Sequence, residues 1–221
     1  MSAHDGRESP LSDSRPASAW PTLAILAATI FWGSSFAAMK VTISAFGPWT
    51  VMWDRMTVAL AVVLPFAGRL RPQSTRPGDW KLLLAFVIFQ PCLYFALESN
   101  ALRFTSSAQA GLISASVPLM VALGARIFLG ERVSRATVAG LLLALAGVVW
   151  LTLAGEPSLS ATNPLLGNAL EMGAMVTAVG YVLLVRRLSQ RYSPWSLTAM
   201  QVVAGSLFFL PGAVPLLGGR L

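Results

Sequence analysis

The sequence FGPWT at residues 46–50 returns as YSPWS at residues 192–196, at an offset of 146 positions. The same offset aligns three further pairs of residues, namely Leu64 with Leu210, Pro65 with Pro211 and Lys40 with Arg186. An aromatic residue, a Pro-Trp-hydroxyl triplet and a Leu-Pro pair that share one spacing indicate an internal repeat. This repeat determines how the rest of the chain is interpreted.

The composition is that of a membrane protein. Of the 221 residues, 55% are hydrophobic and only 11% are charged, and the mean hydropathy is +0.67, whereas soluble domains have about 25% charged residues. The chain contains apolar runs that reach the roughly 17 to 25 residues needed to cross a bilayer, at 22–44, 49–67, 81–102, 108–129, 136–154, 165–185 and 195–217. The runs lack the alternation of transmembrane strands. The sequence therefore predicts an all-α integral membrane protein with about seven transmembrane helices.

The position of the repeat predicts its orientation. Five apolar runs separate equivalent points of the two copies, and an odd number of crossings turns the second copy upside down. Inverted repeats are typical of secondary transporters, which bind substrate between the two halves. We expect a disordered cytoplasmic tail at 1–19, a first repeat of five helices at 20–154, and the first two helices of an inverted second repeat at 155–221.

The formal net charge of +7 would suggest nucleic acid as the partner of a soluble protein. Here the positive residues cluster in alternate connections between the spans, at Arg69, Arg71, Arg76 and Lys81, at Arg126, Arg132 and Arg135, and at Arg186, Arg187 and Arg191. Because such connections remain in the cytoplasm, we expect a multi-pass protein of the plasma (inner) membrane with a cytoplasmic N-terminus. The lipid bilayer, and not a nucleic acid, is the expected partner.

Several motifs together resemble the EamA family of the drug/metabolite transporter superfamily: FWGSSFAAMK at 31–40, YFALESNALRFTSSAQAGLI at 94–113, Pro118, LGER at 129–132 and GLLLALAGVVWL at 140–151. The resemblance implies a ten-span fold of two inverted five-helix repeats and the export of a small molecule. Residues 22–154 resemble one complete repeat, and 165–217 resemble the first two helices of the second. On this basis we expect three further spans beyond the seven in this sequence.

Polar residues in the third span form the first group of candidate site residues. Gln90, Tyr94 and Glu98 recur every four residues, so they share one helix face. A polar face is costly in lipid, and we expect it to line the bundle interior or a water-filled cavity. The alternative is that Tyr94 packs in the ordinary way and that Glu98 reaches interfacial water.

Charged residues of other spans form the second group. Arg55 in the second span and Glu171 in the sixth are placed, like Glu98, in the outer half of the bilayer. An unpaired charge at that depth is costly. Two interpretations remain open, because these residues are either ion pairs that hold helices together or an anion and proton site.

The third group comes from the first, fourth and sixth spans. Trp32 and Ser35 share a face of the first span, and the resemblance places this region at the central cavity. Gln109 and Tyr181 are further candidates for the substrate path. Ordinary packing is the alternative for all four.

Other functional classes find little support in the sequence. The one cysteine, Cys92, lies within a span, and the one histidine, His4, lies in the tail, so neither a thiolate metal site nor a Ser-His pair within the membrane is expected. We therefore predict no enzyme activity, cofactor or metal. The sequence predicts a secondary transporter that exports small organic metabolites, amino-acid-like compounds or drugs, by alternating access, with homo-oligomers possible. The alternatives are a non-transporting membrane fragment that acts as an assembly or scaffold partner and, less supported, an intramembrane enzyme.

Overall fold

The computed structural model describes residues 20–69 and 76–217, and the tail predicted at 1–19 lies outside the described residues. Within the described part, regular structure is helical except for an isolated bridge between Ser158 and Ala161. The α-helices are α1 Trp20–Phe46, α2 Pro48–Val63, α3 Asp79–Val87, α4 Tyr94–Phe104, α5 Ser107–Ser114, α6 Val117–Leu129, α7 Arg135–Ala154, α8 Pro164–Leu188, α9 Pro194–Phe208 and α10 Val214–Leu217. The prediction of an all-α fold is confirmed.

Six helical segments of the described residues are long and apolar enough to cross a membrane: Thr22–Phe46, Pro48–Phe66, Asp79–Phe104, Ser107–Leu129, Arg135–Ala154 and Pro164–Leu188. They correspond to the first six predicted spans. The seventh is a shorter helix, because α9 ends at Phe208 after 15 residues and the chain continues as a 3₁₀-helix, Leu210–Ala213. Pro211 has no N–H group with which to extend the α-helical ladder.

The sequence shows why these helices begin where they do. The side chains of four N-cap residues accept a hydrogen bond from the backbone N–H three positions later, at Ser106, Ser134, Asn163 and Ser193. Such caps satisfy N–H groups that have no partner within the helix. Proline occupies the start of three helices, at Pro48, Pro164 and Pro194, where its missing N–H is not needed.

The two copies of the sequence repeat have similar local structure and run in opposite directions. Helices α2 and α9 begin 146 residues apart, and each is followed by a 3₁₀-helix. The Trp49 ring at the start of α2 stacks on Phe208 at the end of α9, with 5.7 Å between ring centroids. At the other end of the pair, Phe66 lies 5.0 Å from Trp195. The equivalent helices therefore pack antiparallel.

Polar contacts bring the three basic connections to one face of the bundle. Arg191 pairs with Asp79 at 2.6 Å, so the end of the sixth span meets the start of the third. Arg186 pairs with Glu131, so the end of the sixth span also meets the end of the fourth. Asn163, which caps α8, donates its backbone N–H to Phe104 at the opposite face. The described parts of these three connections thus lie on the same face of the bundle.

The core lies where α4 packs along α8 and α1, α2 and α5 close around them. Its buried side chains include Phe36, Met52, Tyr94, Leu102, Met175 and Phe209. Helix α7 lies at the periphery, with only Leu141 and Val148 buried. Most of the polar candidates therefore lie between the first, second, third and sixth spans.

Candidate functional site

The third span is interrupted in the middle of the bundle. Gln90 has an extended backbone, with φ −148° and ψ 123°, and Pro91 next to it cannot donate a helical hydrogen bond. The Gln201 side chain of α9 donates to the Gln90 carbonyl over 3.4 Å. A break of this kind, which the sequence analysis did not predict, places backbone polar groups beside the candidate site.

The fourth span is also interrupted, between Ser114 at the end of α5 and Val117 at the start of α6. The Ser116 hydroxyl turns back to donate to the Ile113 carbonyl over 2.7 Å. Pro118 has no N–H, so the Ser114 carbonyl, four residues earlier, receives no α-helical hydrogen bond. Broken spans whose backbone groups are freed in this way are typical of transporter binding sites.

A cavity of about 260 Å³ lies between the spans near the break in the third span. Seven of the nine candidate residues line it: Trp32, Ser35, Arg55, Gln90, Tyr94, Glu98 and Tyr181. Sequence analysis missed the four apolar residues of the wall, Phe95, Val117, Ala178 and Val182. An apolar residue in an apolar span carries no signal that separates a cavity wall from ordinary packing.

Arg55 carries the positive charge of the cavity. Its guanidinium lies 4.9 Å from the centre of the Phe95 ring and donates to Met39 Sδ over 3.0 Å. Among the described residues, no ion pair joins Arg55 to Glu98 or Glu171. Of the two interpretations left open for these charges, the described part of the structure does not show the ion pairs, because the guanidinium stacks on the Phe95 ring instead.

Glu98 provides a carboxyl group at the wall of the cavity. Its side chain is buried and accepts a hydrogen bond from the Tyr94 hydroxyl over 2.6 Å. The two residues are four apart on α4, so the helix itself brings them together. Because Glu98 is only 3% exposed, it does not reach interfacial water, and the polar face of the third span points into the bundle.

Glu171 lies close to this group but does not line the cavity. It is fully buried on α8, where Oε1 accepts a hydrogen bond from the Ser114 hydroxyl over 3.0 Å. The second carboxyl oxygen, Oε2, has no hydrogen-bond partner among the described residues. Glu171 thus joins the sixth span to the break in the fourth.

Gln109 is also outside the cavity. It lies in the first turn of α5, where its Oε1 is 2.6 Å from the Thr105 hydroxyl. The same hydroxyl is 2.6 Å from Asn168 Oδ1, and Asn168 Nδ2 donates to Thr152. Gln109 therefore belongs to a polar network that holds the ends of the third and fourth spans against the sixth.

No group of three or more His, Cys, Asp or Glu side chains that could hold a metal ion occurs within residues 20–69 and 76–217. The polar chemistry of the site consists of one guanidinium, two carboxyl groups, two phenols, an indole, an amide and two hydroxyl groups, among apolar and aromatic walls.

Comparison with known proteins gives a consistent result. Residues 19–153 match the model of the EamA-like transporter family. The chain is 30% identical over 204 residues to an uncharacterized transporter of Archaeoglobus fulgidus. The aligned residues cover 89% of this chain and 70% of that protein. It is 24% identical over 200 residues to the uncharacterized transporter YetK of Bacillus subtilis, with 87% of this chain and 59% of YetK covered.

A third relative has a more specific name. A probable terminal-alkyne amino-acid exporter of Streptantibioticus cattleyicolor is 27% identical over 188 residues, which cover 85% of this chain and 62% of the exporter. The chain thus spans about 60 to 70% of the length of these three relatives. No solved structure matches the chain significantly.

Proposed function

Because this chain belongs to the EamA-like transporter family, we propose that it is a secondary transporter that exports a small, amino-acid-like metabolite. Alternating access between the two inverted halves would carry the substrate across the plasma membrane. The basic face of the bundle, which contains Arg186 and Arg191, would lie in the cytoplasm by the positive-inside rule. Export as the direction is supported by the name of the Streptantibioticus relative.

The observation that carries this proposal is the presence of a guanidinium and a carboxyl group, on different helices, at the wall of one cavity. Arg55 and Glu98 do not pair with each other, so each has hydrogen-bonding capacity that a ligand can use. A guanidinium binds a carboxylate with two parallel hydrogen bonds, and a carboxylate binds an ammonium group. A zwitterion that carries both groups would satisfy both residues at once.

The remaining wall fits the rest of such a molecule. Trp32, Phe95 and Tyr181 provide aromatic surface for an apolar side chain, and Ser35 and Gln90 provide polar groups that can orient it. The volume of about 260 Å³ is close to the lower end of the roughly 300 to 1,000 Å³ found for pockets that bind drug-sized ligands. This size favours an amino-acid-like metabolite over a bulky drug.

The proposal is tested by counterflow in proteoliposomes. The purified chain is reconstituted into vesicles loaded with unlabelled amino acids, and uptake of each labelled amino acid is measured. We expect uptake of at least one amino acid with an apolar or aromatic side chain. Removing one partner of a buried charge contact costs about 2 to 5 kcal/mol, so Arg55→Gln and Glu98→Gln should each reduce kcat/KM by roughly thirty-fold or more.

Arg103→Gln is the matched control. Arg103 is an arginine at the end of the third span that stacks on Phe104 at 5.4 Å and does not line the cavity. Its replacement should leave counterflow close to the unmodified level. If Arg103→Gln lowers uptake as much as Arg55→Gln, the positive charge of Arg55 has no specific role and the proposed site is wrong.

A further inference from the structure

Glu171 presents a polar atom that the structure leaves unsatisfied. Its side chain is fully buried, and Oε1 accepts the Ser114 hydroxyl while Oε2 has no hydrogen-bond partner among the described residues. Buried polar atoms nearly always have a partner, and each exception needs an explanation. A proton or an ion bound to the carboxyl group is one such explanation.

The position of Glu171 in the fold is the second observation. Its bonded partner, Ser114, is the last residue of α5 at the break in the fourth span. Because Pro118 cannot donate, the Ser114 carbonyl lacks its helical hydrogen bond. The carboxyl oxygen and a freed carbonyl therefore lie at one interruption in the middle of the bundle, which is where secondary transporters bind coupling ions.

The charged groups around Glu171 do not compensate a negative charge. From α4, the groups that interact electrostatically with Glu171 are Glu98 and Tyr94. One is a carboxyl group and the other a phenol, so neither can carry a positive charge. The other helices packed on α8 carry charges only near their ends, namely Asp79 and Lys81 in the first turn of α3, the exposed Arg126 in the last turn of α6 and Arg135 at the start of α7. None of these charges acts on Glu171. Arg55 of α2 acts on Glu98 and Tyr94. In such surroundings a carboxyl group takes up a proton in preference to remaining a buried, unpaired charge.

We propose that Glu171 is a proton-binding site, with the proton held on Oε2, and that its protonation couples the transporter to the proton gradient. This inference rests on the proposed transport function for its consequence, but the proton site itself can be measured without transport. A proton requires no space beyond the carboxyl oxygen, whereas a metal ion would need further oxygen ligands around it. The complete burial of Glu171 therefore favours the proton.

The coupling follows from the like charges of the two carboxyl groups. When Glu98 binds the ammonium group of a substrate, one negative charge is compensated, and Glu171 can ionise at a lower electrostatic cost. Its O–H bond then breaks and the proton passes to cytoplasmic water. When the substrate leaves at the outer side, Glu171 takes a proton from external water and is neutral again. Each cycle thus moves one substrate outward and one proton inward.

Infrared spectroscopy of the purified full chain tests the proton site directly. A neutral carboxyl group has a carbonyl stretch that a carboxylate lacks. We expect the unmodified protein at neutral pH to show such a band, and Glu171→Gln to lack one component of it. Ser114→Ala, which removes the hydrogen bond to Oε1, should shift that component. Glu156→Gln, at an exposed carboxyl in the connection after α7, is the matched control and should leave the band of the neutral carboxyl group unchanged.

Two further measurements keep the result interpretable. Glu171→Asp retains a carboxyl group, so the carbonyl band of residue 171 should move and not disappear. Thermal unfolding in detergent shows whether each variant is folded. In proteoliposomes, an inward proton gradient should increase export of the amino acid identified by counterflow, and this increase should vanish in Glu171→Gln but not in Glu156→Gln.

The outcomes separate the two proposals. If folded unmodified protein has no neutral carboxyl component that depends on Glu171, the proton site is excluded, whatever the chain transports. If the proton gradient increases export of the amino acid as much in Glu171→Gln as in the unmodified protein, the coupling role is excluded. If the Glu171 band is present but no amino acid is transported, the proposed substrate is wrong and the proton site stands.

Discussion

At the scale of single residues, Tyr94 and Glu98 form a hydrogen-bonded pair within the cavity. The phenol donates to the carboxyl group over 2.6 Å, and both residues are buried. The bond holds Glu98 in one orientation, because the i, i+4 spacing on α4 fixes the distance between the two side chains. A substrate ammonium group would therefore meet a carboxyl group that is already positioned.

Removing the Tyr94 hydroxyl tests this unit. Tyr94→Phe keeps the ring but leaves Glu98 without its donor, and an unsatisfied buried acceptor costs about 1 to 3 kcal/mol. We expect a lower temperature of unfolding in detergent and an increase in KM of about ten-fold. Tyr181→Phe, a second tyrosine of the same cavity that does not donate to Glu98, should change KM less. Equal effects of the two variants would contradict a specific role for the Tyr94 hydroxyl.

Polar residues at the cavity could be identified from sequence, whereas the apolar residues of its wall could not. Gln90, Tyr94 and Glu98 stand out because a polar residue in an apolar span has a solvation cost that must be met. The partner of Arg55 could not be predicted, because a long side chain can turn towards a carboxylate or an aromatic ring of a neighbouring helix. The role of Phe95 as that partner depends on packing between spans, which no local pattern encodes.

The close packing of α4 and α8 determines the stability of the bundle at the scale of elements. Gly167 on α8 lies against the end of α4, where a Cβ atom would come within 2.6 Å of Thr105 Cβ and of the Thr105 backbone nitrogen. Backbone atoms cannot move aside as the end of a flexible side chain can. The sixth span can approach the third this closely only because residue 167 has no side chain.

Gly167→Ala should therefore destabilise the protein. Overpacking of a tight contact costs about 1 to 3 kcal/mol, and we expect a measurably lower unfolding temperature in detergent. Gly140→Ala in α7 is the matched control, since nothing lies within 4 Å of a Cβ atom at that position and alanine has the higher helix propensity. An unfolding temperature for Gly167→Ala equal to that of Gly140→Ala would show that the two spans are not packed as described.

On the basic face of the bundle, a polar contact joins the start of α3 to the connection between α8 and α9. Asp79 at the start of α3 pairs with Arg191 and accepts a hydrogen bond from the Tyr192 hydroxyl over 3.3 Å. Tyr192 packs with Phe86, Leu188 and Leu197. Burial, the nearby Asp79 carboxylate and the hydrogen bond to it raise the pKa of Tyr192 above its ordinary value.

This contact predicts a dependence of stability on alkaline pH. A phenol whose pKa is raised by folding stabilises the folded state fully below its unfolded pKa of about 10, and this contribution is lost as the pH rises through the folded pKa. Between about pH 9 and 11, the unfolding temperature should fall more steeply for the unmodified protein than for Tyr192→Phe. Identical slopes would show that Tyr192 is not held in this environment.

Helix boundaries could be predicted from sequence more reliably than helix continuity. Caps such as Ser134 and Asn163 and prolines such as Pro48 are local signals, and the observed spans begin next to them. The interruptions at Gln90 and Ser114 were not predicted, because they lie within apolar runs of full bilayer length. Proline in a span is compatible with a kink or a break, and neighbouring helices decide which one forms.

The antiparallel packing of α2 against α9 determines the organisation of the whole molecule. The contacts of Trp49 with Phe208 and of Phe66 with Trp195 place the start of each helix beside the end of the other. Equivalent segments of the repeat thus run in opposite directions through the bundle. Inverted halves of this kind would support the alternating access that we propose.

Cysteine labelling tests this topology in intact cells. Cys92 is buried and should not react with the labelling reagents. The labelling of each introduced cysteine can therefore be measured on its own. We expect Ser189→Cys, on the basic face, to react only with reagents that enter the cytoplasm, and Ser160→Cys, in the connection between α7 and α8, to react with reagents that remain outside. Labelling of residue 189 from outside would contradict a cytoplasmic N-terminus.

The central claim is that this molecule binds a zwitterion between the Arg55 guanidinium and the Glu98 carboxyl group. The most direct test is counterflow of phenylalanine in competition with phenethylamine, which has the same ring and ammonium group but no carboxylate. The unmodified protein should prefer phenylalanine, and Arg55→Gln should abolish that preference while Arg103→Gln retains it. A preference that persists in Arg55→Gln, or that the unmodified protein never shows, would contradict the assignment of Arg55 as the group that binds the substrate carboxylate.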